Sequence, residues 1–98
     1  MKDHAVFIVL LTIELAIPYA QSLKDKRSAV RGLTDRIRSK FNASVAEVGY
    51  QDKWQRCVVA VCLVGGDRRY LESHAARVRA VCEQATDVEI VGIEQQWL

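Results

Sequence analysis

Ninety-eight residues, half of them hydrophobic and 27% charged, make one ordinary folded domain. Such a chain can build a core but has little room for a deep enclosed active site. Its net charge of +2 says almost nothing about partners, so the distribution of charge has to carry that argument.

Residues 5–17 (AVFIVLLTIELAI) superficially resemble the core of a signal peptide. Thr12 and Glu14 break the run, Pro18 spoils the position three before Ala20, and the run is too short to span a bilayer. It therefore reads as a buried strand over 6–17, with no membrane partner. Leu11, Ile13, Leu15 and Ile17 alternate with Thr12, Glu14 and Ala16. Ile8 and Leu10 fall on the Thr12/Glu14 side, which leaves an apolar patch unless a partner chain covers it or the strand is more central.

Pro18 ends the strand, because it cannot donate to a ladder. Residues 21–42 (QSLKDKRSAVRGLTDRIRSKFN) then read as one amphipathic helix of about five turns. Ser22 is the expected N-cap, and Asp25 completes a capping-box-like pair. Leu23, Val30, Leu33, Ile37 and Phe41 form the inward stripe. Lys24, Arg27, Arg31 and Arg38 lie within about 60° of one another on a neighbouring face. This helix holds seven of the fourteen basic residues against two acidic ones, a local +5, and the rest of the chain sums to −3. Cations in the first turns oppose the helix dipole by on the order of 0.3–1 kcal/mol each. Together with free backbone N–H groups they make an anion site, and phosphate is the obvious occupant.

Lys26 is the exception among these cations. It lies inside the apolar arc, where it either runs its stem over the core or meets a carboxylate. Glu14 and Glu47 are the acids in reach, and the expectation is a paired, structural lysine.

Asn42 suits a left-handed helix cap, and residues 43–50 follow as a second strand. Residues 51–53 are a polar turn, and 54–64 (WQRCVVAVCLV) form a third strand whose near-continuous apolar run predicts a central position. After Gly65-Gly66, Asp67 caps a second helix over 67–86, with Leu71, Ala75, Val78, Cys82 and Ala85 inward. His74 is expected to be a packed or surface histidine. A last strand covers 88–93. The order βαββαβ, two right-handed βαβ units joined by a hairpin, predicts an α+β, ferredoxin-like domain spanning 1–98. Its four-stranded antiparallel sheet carries both helices on one face.

Catalytic constellations are not apparent. His4 and His74 are far apart and lack metal-ligand spacing. Gly65-Gly66 lacks the lysine of a phosphate loop. Cys57, Cys62 and Cys82 are odd in number and without CxxC spacing. Cys57 and Cys62, on opposite faces of a strand, cannot bridge each other. All three are expected to be buried and inert in a reducing, cytoplasmic setting. No enzyme activity, cofactor, metal or small-molecule substrate is therefore expected. The third strand offers no stacking aromatics, so RNA recognition through an open sheet is not expected either. Asp52, Trp54 and Arg56 form a separate interaction cluster, since Trp and Arg favour interfaces.

The segments IPYAQSLKDKR, RIRSKFNASVAEV and DKWQR resemble, in this order and spacing, the YlxP-like family of small bacterial proteins, a domain of unknown function. The resemblance covers nearly the whole chain. The matching positions are Ser22, Leu23, Lys24, Asp25, Lys26 and Arg27, then Arg36, Phe41, Asn42, Ser44, Val45, Ala46 and Glu47, then Asp52, Trp54, Gln55 and Arg56. Residues 5–10, more apolar than the pattern, and Gly49-Tyr50 depart from it. The resemblance implies a ferredoxin-like fold. It also implies a role near the ribosome, because members are typically encoded beside translation and ribosome-maturation factors, and it assigns no catalytic residue.

Two expectations follow. One is a non-enzymatic, ribosome-associated RNA-binding protein whose basic helix contacts phosphates through Lys24, Arg27, Arg31 and Arg38, with Ser22, Asp25 and Lys26 structural. Its partner would be ribosomal RNA or a ribosomal subunit. The other is a homodimeric protein–protein module with no nucleic-acid role, anchored by Trp54 and Trp97. A ligand-sensing domain of ACT type would have a Gly-containing loop after the first strand, which Pro18-Tyr19-Ala20-Gln21 is not.

Overall fold

Alternation in the first strand sets the layers. In the computed structural model, which describes residues 3–98, β1 (Phe7–Ala16) turns Val9, Leu11, Ile13 and Leu15 into the core. Ile8, Leu10, Thr12 and Glu14 take the other face and are half-buried. After β1 come α1 (Leu23–Lys40), β2 (Ala43–Gly49), β3 (Arg56–Gly65), α2 (Arg68–Gln84) and β4 (Glu89–Trp97). The sheet order is β2-β3-β1-β4 and every neighbour is antiparallel. This is the expected α+β, ferredoxin-like arrangement, with β3 central as its apolar run requires.

Both helices lay their apolar stripes on the same side of the sheet. Val30, Leu33 and Ile37 of α1 and Leu71, Ala75, Val78, Val81 and Cys82 of α2 are buried against Val59, Val61 and Leu63 of β3. Each Val, Leu or Ile among them contributes about 1.5–3 kcal/mol of hydrophobic stabilisation when fully buried. Asp67 caps α2 as expected, its Oδ1 accepting from the Tyr70 N–H at 3.1 Å.

Three boundaries differ from the sequence expectation. Phe41 closes α1 in an extended conformation (φ −132°, ψ 148°), its N–H donating to Ile37 O at 3.0 Å. Asn42 therefore forms no left-handed cap; burial of the Phe41 ring draws the chain straight into β2. Trp54 lies in the β2–β3 connection, before β3 begins at Arg56. β4 runs to Trp97, past the expected Ile93, because pairing with β1 from Ile13↔Ile93 to Val9↔Trp97 carries the polar run Glu94-Gln95-Gln96 along an exposed edge.

Two bulges bend the sheet near one end, between Glu14 and Leu15 in the β1–β4 pairing and between Glu47 and Gly49 in β2–β3. At the second, a Cβ on Gly49 would stand 2.9 Å from Val58 Cγ2, so the close approach of the strands requires glycine. On edge strand β2, two carbonyls are occupied by side chains: Val45 O accepts from Arg38 Nη2 at 2.8 Å and Glu47 O from Gln51 Nε2 at 3.1 Å.

The cysteines are free. Cys57 and Cys82 are buried, but Cys62 is only half-buried, contrary to expectation, because it faces the side of the sheet that carries no helix.

Candidate functional site

The first turn of α1 is locked locally. The Asp25 N–H donates to Ser22 Oγ at 3.0 Å, and Asp25 Oδ2 accepts from the Gln21 N–H at 3.0 Å. The return bond thus reaches the residue before the cap, one position short of a full capping box. From this anchor Lys24, Arg27 and Arg31 line one surface depression of about 510 Å³ with Ser28, Gly32 and Asp35. None of the three cations has an ion-pair partner among the described residues. A second depression continues along the helix between Arg27, Arg31 and Arg38 toward Glu47. Arg38 differs from the others, because its guanidinium contacts Asp35 at 3.4 Å and Val45 O at 2.8 Å. The structure therefore brings Lys24, Arg27 and Arg31 together as free cations and leaves Arg38 at the far end, partly committed to β2.

Lys26 points inward and is 1% exposed. Its Nζ lies 3.0 Å from Glu47 Oε2 and 2.5 Å from the Tyr50 carbonyl oxygen. Of the two acids in reach, Glu47 is the partner; Glu14 pairs with Arg56 across the open face of the sheet. The Glu47 oxygen sits at ion-pair distance but off the angle of a directed hydrogen bond, so Tyr50 O is the better-aligned acceptor. Tyr50 itself has a left-handed backbone (φ 55°), uncommon for a bulky residue. Its carbonyl also accepts from the Lys53 N–H at 3.0 Å, closing the turn.

Beyond that turn, Asp52, Trp54 and Arg56 share an open cleft of about 480 Å³ with Tyr50, Lys53 and Gln55. The Arg56 guanidinium stands 5.5 Å from the Tyr50 ring centroid, within cation–π range. Trp54 is 51% exposed and Tyr50 45%. Gln55 reaches the β1–α1 loop, donating from Nε2 to Ala20 O at 2.9 Å and Pro18 O at 3.3 Å. Tyr50 is the site residue to which sequence reasoning gave no role, although Gly49-Tyr50 before a polar turn was a usable signal. Gln55 falls in the DKWQR segment, but nothing in the sequence marks its bonds, whose acceptors are backbone carbonyls.

Nucleophilic chemistry finds little support in the cysteines. Burial pushes the Cys57 thiol up to about 11, with Glu47 raising it further and Lys26 opposing. Burial likewise pushes Cys82 up to about 11. A thiol so placed is almost wholly protonated near neutral pH. Among the described residues, no group of three or more His, Cys, Asp or Glu could hold a metal ion, and no helix is long and apolar enough to cross a membrane. His74 packs between the Tyr70 and Phe41 rings, with centroids at 4.2 and 5.7 Å.

Known proteins bear on the identity of the chain. A de novo designed protein, Foldit4, matches it with a TM-score of 0.54 at 12% identity, over 96% of this chain and 97% of that one, a likeness of fold alone. The uncharacterized protein YlxP of Bacillus subtilis (strain 168) is 34% identical over 84 residues, which cover 86% of this chain and 91% of that protein. The model of a family described as protein of unknown function (DUF503) matches residues 8–95. With its fold and its SLKDKR and DKWQR segments inside that match, the chain belongs to the DUF503 family.

Proposed function

We propose that this protein is a non-enzymatic RNA-binding protein that holds phosphates along the exposed side of α1. The observation that carries the reading is the set Lys24, Arg27 and Arg31, three cations lining one depression without ion-pair partners among the described residues. Neighbouring unpaired cations repel one another, Lys24 also meets the positive end of the helix dipole, and a phosphate backbone relieves both. Ribosomal RNA, or a ribosomal subunit, is the first partner to probe, given the genomic setting the family resemblance implies. The action is then an accessory one in translation or ribosome maturation, in the cytoplasm. Binding should fall with salt at a log–log slope of about −0.7 per phosphate contact on single-stranded RNA. In filter binding, Lys24→Ala/Arg27→Ala/Arg31→Ala should flatten that slope by about 2. Wild-type binding that does not change between about 50 and about 200 mM salt overturns the proposal.

A second reading has its own observation. Ile8, Leu10, Val58, Ala60 and Cys62 form a half-buried apolar patch on the face of the sheet opposite the helices, with Val64 exposed beside it. Four strands about 4.8 Å apart, about seven residues long at about 3.3 Å each, present roughly 450 Å² in projection. That projection is comparable with the roughly 600 Å² per partner at the low end of a stable interface. A second copy of this chain stacking sheet on sheet fits that area. Sedimentation equilibrium should then show a dimer that Leu10→Lys dissociates, and a monomeric wild type overturns this reading.

A further inference from the structure

We infer that the hairpin cleft between Tyr50, Trp54 and Arg56 is a stacking site for an unpaired nucleobase of the same RNA strand whose phosphates lie along α1. The inference rests on the α1 reading and extends it from the backbone of the RNA to its bases.

Three observations carry it. First, the cleft joins the phosphate track through a rigid link. Lys26, which shares the first turns of α1 with Lys24 and Arg27 but points inward, grips the Tyr50 carbonyl at 2.5 Å, while Gln55 fastens the other side of the hairpin to the loop that leads into α1. Second, the cleft has the chemistry that bases recognise. Two half-exposed aromatic rings stand beside a guanidinium that lies over one of them, and bases stack on such surfaces whatever their identity. At about 480 Å³, it falls in the range of about 300–1,000 Å³ typical of small-ligand sites. Third, its charges are nearly balanced. Arg56 is paired with Glu14, and Asp52 accompanies Lys53 on the rim. A neutral planar group suits the cleft better than a phosphate, whereas Lys24, Arg27 and Arg31 of α1 have no ion-pair partner among the described residues. The left-handed Tyr50 backbone agrees with this division, since a strained position persists only where its surroundings hold it. Here Lys26 and Lys53 do so.

Inorganic polyphosphate separates the two halves of the site, because it offers phosphates without bases. With Trp97→Phe making Trp54 the sole tryptophan, a single-stranded RNA dodecamer should quench its fluorescence and polyphosphate should not. Trp54→Leu should weaken RNA binding by roughly 5- to 150-fold while leaving polyphosphate affinity and the salt slope unchanged. Trp54→Phe should restore most of the loss, since a ring remains to stack. The half-exposed position of Trp54 keeps these variants folded, which their urea midpoints would show. RNA binding at wild-type affinity by Trp54→Leu, with no quenching, overturns the base site and leaves the α1 track standing. If the wild type binds neither RNA nor polyphosphate, the α1 reading fails and the base site fails with it. Loss of a protein partner without loss of RNA binding in Trp54→Leu assigns the cleft to protein contact and overturns the inference.

Discussion

The Lys26 ammonium and the Tyr50 carbonyl oxygen, 24 residues apart in the chain, stand 2.5 Å from each other with Lys26 almost wholly buried. Glu47 completes the contact at 3.0 Å, its side chain 26% exposed. Removing the carboxylate charge leaves a buried cation facing only neutral oxygens, so Glu47→Gln should cost about 2–4 kcal/mol in urea unfolding. Lys26→Met should cost about 1 kcal/mol or less, because Glu47 can turn to water and Tyr50 O keeps its bond from Lys53. The double variant should be more stable than Glu47→Gln alone, with a coupling of about 1–3 kcal/mol. Additive effects would show that the pair contributes nothing. Glu14→Gln should be additive with Lys26→Met, since Glu14 belongs to Arg56.

Gly49 gives a sharper steric test. A methyl group there meets the stiff, β-branched Val58 side chain at 2.9 Å, so Gly49→Ala should destabilise the protein by about 1–3 kcal/mol. Gly49→Ala combined with Val58→Ala should recover part of that loss. A Gly49→Ala protein as stable as wild type would mean that the hairpin shifts freely.

The helix caps are independent of one another. Ser22→Ala and Asp67→Ala each remove a side-chain acceptor for an N-terminal N–H, and each should cost about 1 kcal/mol. Chemical denaturation of the double variant should show the sum, because the two caps sit at opposite ends of the sheet.

Alkaline pH should act through the buried thiols. Folding raises Cys57 and Cys82 from the ordinary value near 9 to about 11, chiefly by burial. The unfolded chain therefore releases protons first as pH rises. The stabilisation is fully present below pH 9 and is lost as pH climbs through 11. Unfolding free energies measured across this window should fall less steeply for Cys57→Ala/Cys82→Ala than for wild type. At about pH 8, a thiol reagent should label half-buried Cys62 first and reach the other two only on unfolding.

Much of the fold was legible because its signals are local and periodic. Period-two alternation in β1, the apolar run of β3 and the stripes of both helices each name their own buried face. β4 beyond Ile93 was not legible, since Glu94, Gln95 and Gln96 owe their strand conformation to pairing with β1 rather than to any pattern of their own. At the site, angular spacing on a helix sufficed to gather Lys24, Arg27 and Arg31 and to turn Lys26 inward. Alternation in β1 already turned Glu14 away from the core; choosing Glu47 also required knowing that β2 flanks α1 at the sheet edge. Tyr50 entered through its backbone carbonyl, an atom every residue carries, so its side chain gave no clue to the bond. The αL cap expected at Asn42 failed for a related reason: the buried Phe41 ring, not the cap, decides where the chain turns.

The side chains lying on the β2 carbonyls give the sheet unequal borders. A strand arriving beside β2 must first strip Arg38 from Val45 and Gln51 from Glu47, whereas no such side-chain bonds cover β4 among the described residues. Open borders recruit further strands, and covered ones resist them. During refolding at high concentration, chain-to-chain strand pairing is therefore discouraged along β2 and must start from the β4 side, where Glu89, Glu94 and the exposed glutamines are the polar residues that oppose it.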